Sequence, residues 1–206
     1  MSLITKLPSK QLSFHQFIEQ LPDQEGRYEL VNGEILRILA TRKHETIAEY
    51  LADEFKGEVK RLKLNYWVSG RIVIRTETSQ GQEQGRNPDV SVVDKTVWLA
   101  NPSAYSALLE PLQLAVEIVS TNWESDYLDK LEEYQRLGIK EYWIVDYLAI
   151  ASRNYLGNPK KPTVFVHQLV EGKYQCQAFR GESMIKSALF PELKLTVADI
   201  FKASGI

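Results

Sequence analysis

The chain has 206 residues, of which 44% are hydrophobic and 25% are charged, and its formal net charge is −2. This composition is typical of a globular protein, and we expect one domain that covers residues 1–206. A pI of about 6.0 argues against a broadly basic surface for nonspecific nucleic-acid binding, but it leaves room for a local basic groove.

No feature of the sequence indicates a membrane span, a signal peptide or a disulfide bond. No apolar run approaches the ~20 residues that a membrane span requires. Residues 1–22 lack the apolar core and cleavage pattern of a signal peptide. Cys176 is the single cysteine, which excludes an intrachain disulfide and a cysteine-based metal site. Together these features predict a cytoplasmic protein that does not associate with a membrane.

The N-terminal part of the chain predicts a helix, a hairpin and a second helix. Ser13–Leu21 has a suitable N-cap and apolar residues at helical spacing. Arg27–Val31 and Glu34–Ile38 flank an Asn-Gly pair, which is a strong hairpin signal because both residues accept a positive φ. The long segment Arg42–Lys63 then carries one apolar stripe, as an amphipathic helix does.

Three strands are predicted in the middle of the chain. Trp67–Thr76 and Asp89–Val93 are rich in apolar and β-branched residues, and the polar stretch Gly81–Arg86 between them is typical of a turn. Leu112–Ser120 is the third strand, because its apolar residues alternate onto one face.

The remaining segments predict a parallel crossover and a β-rich tail. Trp123–Leu137 is a helix with Gly138 as its C-cap, and Glu141–Asp146 is a further strand. The strand–helix–strand order suggests two parallel strands. More strands follow from about Ile150, with a short helix near Val197–Phe201. The fold class is therefore α/β, with a mixed sheet flanked by helices, an N-terminal hairpin and a C-terminal β extension.

Three polar residues stand where a structural reason is needed. Asp89 opens an apolar strand, and Glu117 lies inside another strand that is otherwise apolar. A buried carboxylate must be paired, protonated or bound to a metal, because an unpaired buried charge is costly. Lys130 lies in the following helix, four residues after Asp126 and four before Tyr134, so these three share a helical face.

This set of residues suits phosphodiester hydrolysis. Carboxylates on adjacent strands, Asp89 and Glu117, can converge on one Mg²⁺ or Mn²⁺ ion, which prefers oxygen ligands. The ion would lower the pKa of a bound water and stabilise charge on the phosphate. Lys130 would assist the attacking water, with Asp126 and Tyr134 in support.

Two of these segments resemble a nuclease signature. Pro88-Asp89, followed by Glu117-Ile118-Val119, is similar to the motif of the PD-(D/E)XK nuclease superfamily. The position two residues after the glutamate, where the motif has lysine, is Val119. Some members of the superfamily carry this lysine on the next helix, and Lys130 is placed to take that role.

The chain as a whole resembles the Uma-two family of restriction endonucleases. This resemblance implies a restriction-endonuclease-like core and metal-dependent cleavage of DNA. Its motifs are specific in their order and spacing rather than singly. The matching segments, which span nearly the whole chain, are Tyr28–Glu34, His44, Asn87–Val90, Val116–Ser120, Asp126–Tyr134, Glu141–Asp146 and Phe190-Pro191.

Several other residues leave two interpretations open. Glu29 is either a further metal ligand or, slightly favoured, a surface glutamate of the hairpin, and His44 is either a core histidine or part of the active site. The lysine-rich face of the long helix could contact phosphates or simply face solvent: Lys56, Lys60 and Lys63. Better candidates for the DNA side precede Asp89: Arg71, Arg75 and Arg86. Three aromatic residues could contact bases or a partner subunit: Trp98, Trp123 and Tyr105.

The sequence therefore predicts a Mg²⁺- or Mn²⁺-dependent endonuclease that acts on DNA. We expect a homodimer, because one metal site cuts one strand and a double-strand break needs two cuts. Two alternatives remain open. The loss of lysine at Val119 and the low pI suggest a nuclease-derived module that binds nucleic acid or protein without catalysis, and the carboxylates could also form a purely structural network.

Overall fold

The computed structural model describes residues 11–21, 26–203 and 205, and these form two mixed β-sheets flanked by helices. The helices of the described residues are α1 (Phe14–Glu19), α2 (Arg42–Arg61), α3 (Lys95–Leu99), α4 (Lys130–Leu137), α5 (Arg153–Leu156) and α6 (Val197–Ala203). The strands are β1 (Arg27–Val31), β2 (Glu34–Ile38), β3 (Tyr66–Ser69), β4 (Val73–Glu77), β5 (Glu83–Arg86), β6 (Val90–Asp94), β7 (Ala107–Leu108), β8 (Leu114–Ile118), β9 (Glu141–Asp146), β10 (Thr163–Val170) and β11 (Lys173–Phe179). This arrangement confirms the predicted α/β class.

The larger sheet holds the core of the protein. Its strand order is β11-β10-β9-β8-β6-β3, and the β8–β9 pair is parallel, as the crossover predicted. Apolar side chains of β6, β8 and β9 pack against α2 on one face, where Phe55 meets the ring of Trp143 edge-on at 5.3 Å between centroids. The helix α4 covers the opposite face, and Gly138 ends it with a φ of 92°.

The second sheet joins the hairpin to the middle of the chain. Its order is β2-β1-β5-β4-β7, with β1 and β2 paired around Asn32 and Gly33 as predicted. Both N-terminal helices are capped: Ser13 closes a capping box, as predicted, and the side chain of Thr41 accepts a hydrogen bond from the backbone N–H of His44. No helix within residues 11–21 and 26–203 has the length and hydropathy that crossing a membrane would take.

The prediction of one strand over Trp67–Thr76 is wrong. The segment forms β3 and β4, which belong to different sheets, and the chain passes from one to the other near Gly70. A Cβ at Gly70 would lie 2.8 Å from the carbonyl oxygen of Asp89, so the two backbones approach closely at this crossing. Glycine allows this approach because it has no side chain.

The prediction of a turn over Gly81–Arg86 is also wrong, because the segment contains the strand β5. Two of its polar side chains, Gln84 and Arg86, are buried and have defined partners. Gln84 accepts a hydrogen bond from the backbone N–H of Asn32, and Arg86 forms an ion pair with Glu133. The polar composition therefore indicated a turn, but residues distant in sequence provide hydrogen-bond and ion-pair partners for the buried polar side chains of this strand.

The helix predicted from Trp123 is present, but its first part is irregular. Ser125–Asp129 forms a π-helical turn, and α4 continues from Lys130. Tyr142 on β9 donates a hydrogen bond to the backbone carbonyl of Asp126, 2.9 Å away. Such turns are rare and occur often at functional sites. The predicted β-rich tail and terminal helix are present as β10, β11 and α6.

Candidate active site

The antiparallel pairing of β6 with β8 brings the two predicted metal ligands to neighbouring positions. Val90 pairs with Val116, so Asp89, directly before β6, lies beside the end of β8 that carries Glu117. The backbone N–H of Ile118 donates to Asp89 Oδ2 at 2.7 Å, which ties the two strands together at this point. Both carboxylates are buried.

Asp89 is held as an anion by three donors. Arg27 on β1 donates to its Oδ1, and His44 Nε2 at the start of α2 lies 3.1 Å from its Oδ2. The third donor is the N–H of Ile118. Burial by itself would raise the pKa of Asp89, but these hydrogen bonds and the charge of Arg27 outweigh it and lower the pKa.

The surroundings of Glu117, unlike those of Asp89, raise the pKa of the carboxyl group. Its Oε2 is 2.9 Å from Lys130 Nζ, and its Oε1 accepts a hydrogen bond of 2.6 Å from the hydroxyl of Tyr134. Burial raises the pKa of Glu117 to about 8. The negative charges of Asp89 and Asp126 contribute to this rise, and the positive charge of Lys130 offsets only part of it. The two neighbouring carboxylates therefore differ in their affinity for a proton.

Lys130 lies at the centre of the carboxylate cluster. Besides Glu117 it contacts Asp126 at 3.2 Å and Glu29 at 3.4 Å, and its side chain is buried. Burial lowers the pKa of this lysine, but the surrounding carboxylates raise it well above the ordinary value. Burial also raises the pKa of Asp126 to about 6. Four predicted site residues thus lie around the ammonium of Lys130: Glu29, Glu117 and Asp126 contact it directly, and Tyr134 contacts Glu117.

The structure overturns the prediction that Arg86 faces DNA. Its guanidinium donates two hydrogen bonds to Glu133, at 2.7 and 2.6 Å, and lies 3.4 Å from Glu29. Glu133 also accepts a hydrogen bond from Thr76. Arg86 is therefore a buried counter-ion of the cluster. The favoured interpretation of Glu29 as a surface glutamate is wrong as well, because its side chain is buried between Arg86 and Lys130.

Other predicted basic and aromatic residues are separated by the fold. Arg75 is in β4, where Glu77 and Glu83 neutralise it, and it lines a separate small cavity of about 220 Å³. Trp123 packs against Tyr127 and Tyr155.

A cleft of about 800 Å³ opens above Asp89, between α2, the hairpin and the β3–β4 crossing. Arg27, Asn87 and Asp89 are part of its lining. Glu117 and Lys130 are not among the lining residues and lie deeper, beyond Asp89. Arg71, Lys56 and Tyr105 also line the cleft, so part of the predicted DNA-facing set does reach it.

Sequence reasoning missed three residues of this cluster. Arg27 lies two positions before Glu29 on one strand, so the two share a face, and this alternation was an available signal. Glu133 lies three positions after Lys130 on one helical face, which was a second signal. Asn87 belongs to the Asn87–Val90 segment of the family resemblance, but its residue type gave no signal for a contact in the cluster.

The architecture is similar to that of a solved structure with a nuclease description. That structure is described as "a putative nuclease belonging to DUF820" from Anabaena variabilis ATCC 29413, and it superposes with a TM-score of 0.69 at 18% identity. The match covers 94% of this chain and 99% of the other. At this identity the likeness establishes the fold.

The family follows from the sequence match. The chain belongs to the Uma2 family, described as "Putative restriction endonuclease", whose model matches residues 14–198. This confirms the family resemblance. No curated protein matches the chain.

Proposed function

We propose that this protein is a metal-dependent endonuclease that hydrolyses DNA at the cleft above Asp89. One observation carries the proposal: Asp89 and Glu117 lie on neighbouring positions of adjacent strands, with Lys130 2.9 Å from Glu117. The Uma2 membership and the fold shared with a nuclease-described structure support a nuclease activity.

The donor set fits a divalent cation. Among the described residues, the cluster holds more carboxylates than cations: Glu29, Asp89, Glu117, Asp126 and Glu133 against Arg27, Arg86 and Lys130. Carboxylate oxygen donors suit Mg²⁺ or Mn²⁺. Within residues 11–21 and 26–203, no three His, Cys, Asp or Glu side chains are already arranged around one point for a metal, so the proposed site uses two carboxylates, Asp89 and Glu117. Water would complete the shell, as Mg²⁺ sites commonly allow.

Each side chain of the site has a task in this proposal. An ion held by Asp89 and Glu117 would supply Lewis-acid chemistry toward the phosphate and the attacking water. Tyr134 fixes one oxygen of Glu117, and His44 and Arg27 orient Asp89. Lys130 keeps a positive charge next to Glu117, where it can stabilise negative charge that develops during the reaction.

The test compares cleavage by the wild-type chain and by Glu117→Gln and Asp89→Asn. Supercoiled, linear duplex and single-stranded DNA are incubated with Mg²⁺ or Mn²⁺. We expect cleavage by the wild type and a loss of about 100-fold or more in each variant, since removing one group that stabilises transition-state charge costs 10²–10³-fold. Glu141→Gln is the matched control, because Glu141 is a buried strand glutamate that bonds Trp143 and the backbone N–H of Ala188 outside the cluster.

Absence of cleavage with every DNA form and both metals would refute the enzyme. Calorimetry with Mn²⁺ adds a readout independent of activity, because binding should disappear in Asp89→Asn.

The second candidate is a nuclease-derived binding module without catalysis. One observation favours it: Arg27, His44 and the N–H of Ile118 already occupy three of the about four lone-pair positions of Asp89, which leaves little room for a metal. DNA binding without metal uptake or cleavage would support this module, and a metal-dependent nick would exclude it.

A homodimer, a cytoplasmic location and a single domain over residues 1–206 stay predictions, and sedimentation velocity tests the first of them.

A further inference from the structure

Large apolar side chains are exposed around the mouth of the cleft. Trp67, Tyr105 and Leu39 all line it, and they are 42%, 72% and 80% exposed. Single exposed apolar residues are ordinary on protein surfaces, but several around one cleft indicate a binding site. The ligand of this cleft therefore has apolar surface to cover.

Trp67 is held in a fixed orientation. It lies on the edge strand β3 and stacks in parallel on Trp98, with 6.2 Å between ring centroids and 9° between the ring planes. It remains partly exposed despite this stack. A supported aromatic ring at the rim of a cleft is the arrangement with which proteins stack the flat face of a base.

Two basic side chains line the same cleft as these rings. Lys56 lies 3.0 Å from Asp53, whereas Arg71 is exposed and forms no ion pair with a carboxylate of the described residues. Two carboxylates, Glu45 and Glu49, line the cleft from α2. Arg71 follows β3, four residues after Trp67, and is thus the lining cation that carries no carboxylate partner among the described residues. A cation at this place suits a phosphate next to a base stacked on Trp67.

We infer that the cleft binds unpaired nucleotides, with a base stacked on Trp67, so that the preferred substrate is single-stranded or locally unpaired DNA. The inference rests on the proposed function of the same cleft. In a duplex the base faces are covered by their neighbours, and exposed aromatic rings find a partner only on unstacked bases. A volume of about 800 Å³ lies in the range of pockets that enclose a small ligand, ~300–1,000 Å³, which matches a short unpaired segment.

The charge of the protein agrees with this mode of binding. A net charge of −2 provides little long-range attraction for a phosphate backbone, so stacking must carry much of the affinity. If Lys56 and Arg71 each neutralise one phosphate, the slope of log K against log salt is about −1.4 for a single strand. A wide duplex interface with six to ten phosphate contacts would give a much steeper slope.

The experiment measures DNA binding by the wild-type chain in EDTA, where no cleavage occurs. A labelled single-stranded 20-mer with one 2-aminopurine and the matching duplex are titrated, and anisotropy and base fluorescence are recorded. We expect tighter binding of the single strand, and a loss of about 5- to 150-fold in Trp67→Ala, the range for one stacked base. Trp67→Phe keeps a ring and should retain most of the affinity. Trp123→Ala is the control, because Trp123 packs on Tyr127 away from the cleft.

Each alternative outcome has a distinct meaning. Equal binding of both DNA forms, or single-strand binding that Trp67→Ala leaves unchanged, overturns the inference. A wild-type dimer that Trp67→Ala dissociates also overturns it, because the rings would then bind a second copy. Trp67-dependent binding without cleavage in any metal keeps the inference and refutes the nuclease. Duplex cleavage that Trp67→Ala does not affect keeps the nuclease and overturns the inference that a base stacks on Trp67.

Discussion

Substitution of Arg86 separates two roles for this residue, a buried counter-ion and a contact to DNA. Arg86→Met is expected to lower the free energy of unfolding by about 3–5 kcal/mol, the usual cost of removing one partner from a buried ion pair. The side chain is 3% exposed and donates hydrogen bonds of 2.7 and 2.6 Å to Glu133. Its loss leaves Glu133 with the hydroxyl of Thr76 and leaves Glu29 with Lys130 as its remaining cation.

The size of the effect follows from burial rather than from the number of contacts. An exposed ion pair is typically worth up to ~1 kcal/mol, because water screens it. Glu133 is as deeply buried as Arg86, so methionine leaves its charge in a medium of low polarity. Arg71→Met is the matched control, and as an exposed change it should stay within ~0.5 kcal/mol.

Urea unfolding at neutral pH, followed by tryptophan fluorescence, gives the free energies. A double-mutant cycle with Glu133→Gln isolates the pair, and we expect a coupling of about 0.5–3 kcal/mol, since the two residues share one network. If Arg86→Met unfolds at the wild-type urea concentration but binds DNA more weakly, Arg86 reaches the DNA and the counter-ion role is refuted.

Two further predictions concern Gly70 and His167. Gly70→Ala should reduce metal binding and cleavage, because the new Cβ would lie 2.8 Å from the carbonyl oxygen of Asp89, whereas Gly57→Ala on α2 has open space and should not reduce either. Calorimetry and a nicking assay decide, and an unaffected Gly70→Ala argues against a fixed Asp89. Burial lowers the pKa of His167 from 6.5 to about 4. The unfolded chain therefore binds a proton more readily than the folded chain, so the free energy of unfolding is unaffected by this histidine above pH 6.5 and falls as the pH drops toward 4. His167→Phe should remove about 2 kcal/mol of this acid-dependent loss, measured by urea unfolding at pH 7 and 4.5, and an unchanged difference contradicts it.

Local signals were enough to predict much of the fold. The hairpin around Asn32 and Gly33 and the end of α4 at Gly138 depend on positive φ angles, which short sequence patterns reveal. The strand Glu141–Asp146 has the predicted bounds because its residue types strongly favour a strand. The strand β5 was not predictable in this way, since the partners that make its polar residues acceptable are distant in sequence.

The same distinction applies to the site. Glu117 was found because a carboxylate inside an apolar strand is anomalous without any partner in view. Arg27 was missed because its partner Asp89 is 62 positions away, and Glu133 was missed because Arg86 is 47 positions away. The local spacing shows that each residue shares a face with a site residue, but it does not identify the distant partner, which only the topology of the two sheets reveals.

The structure gives a physical reason for the place of the lysine. Residue 119 follows β8 on the same side as Glu117, but Val119 is 1% exposed and belongs to an apolar cluster that includes Ile144 and Tyr134. An ammonium among these side chains would lack the partners that a buried charge requires. Lys130 reaches Glu117 from the helix, and the preceding π-helical turn places Asp126 at 3.2 Å on the same ammonium. The lysine therefore enters the cluster from the helix side, where carboxylates can compensate its charge, and the strand keeps its apolar packing.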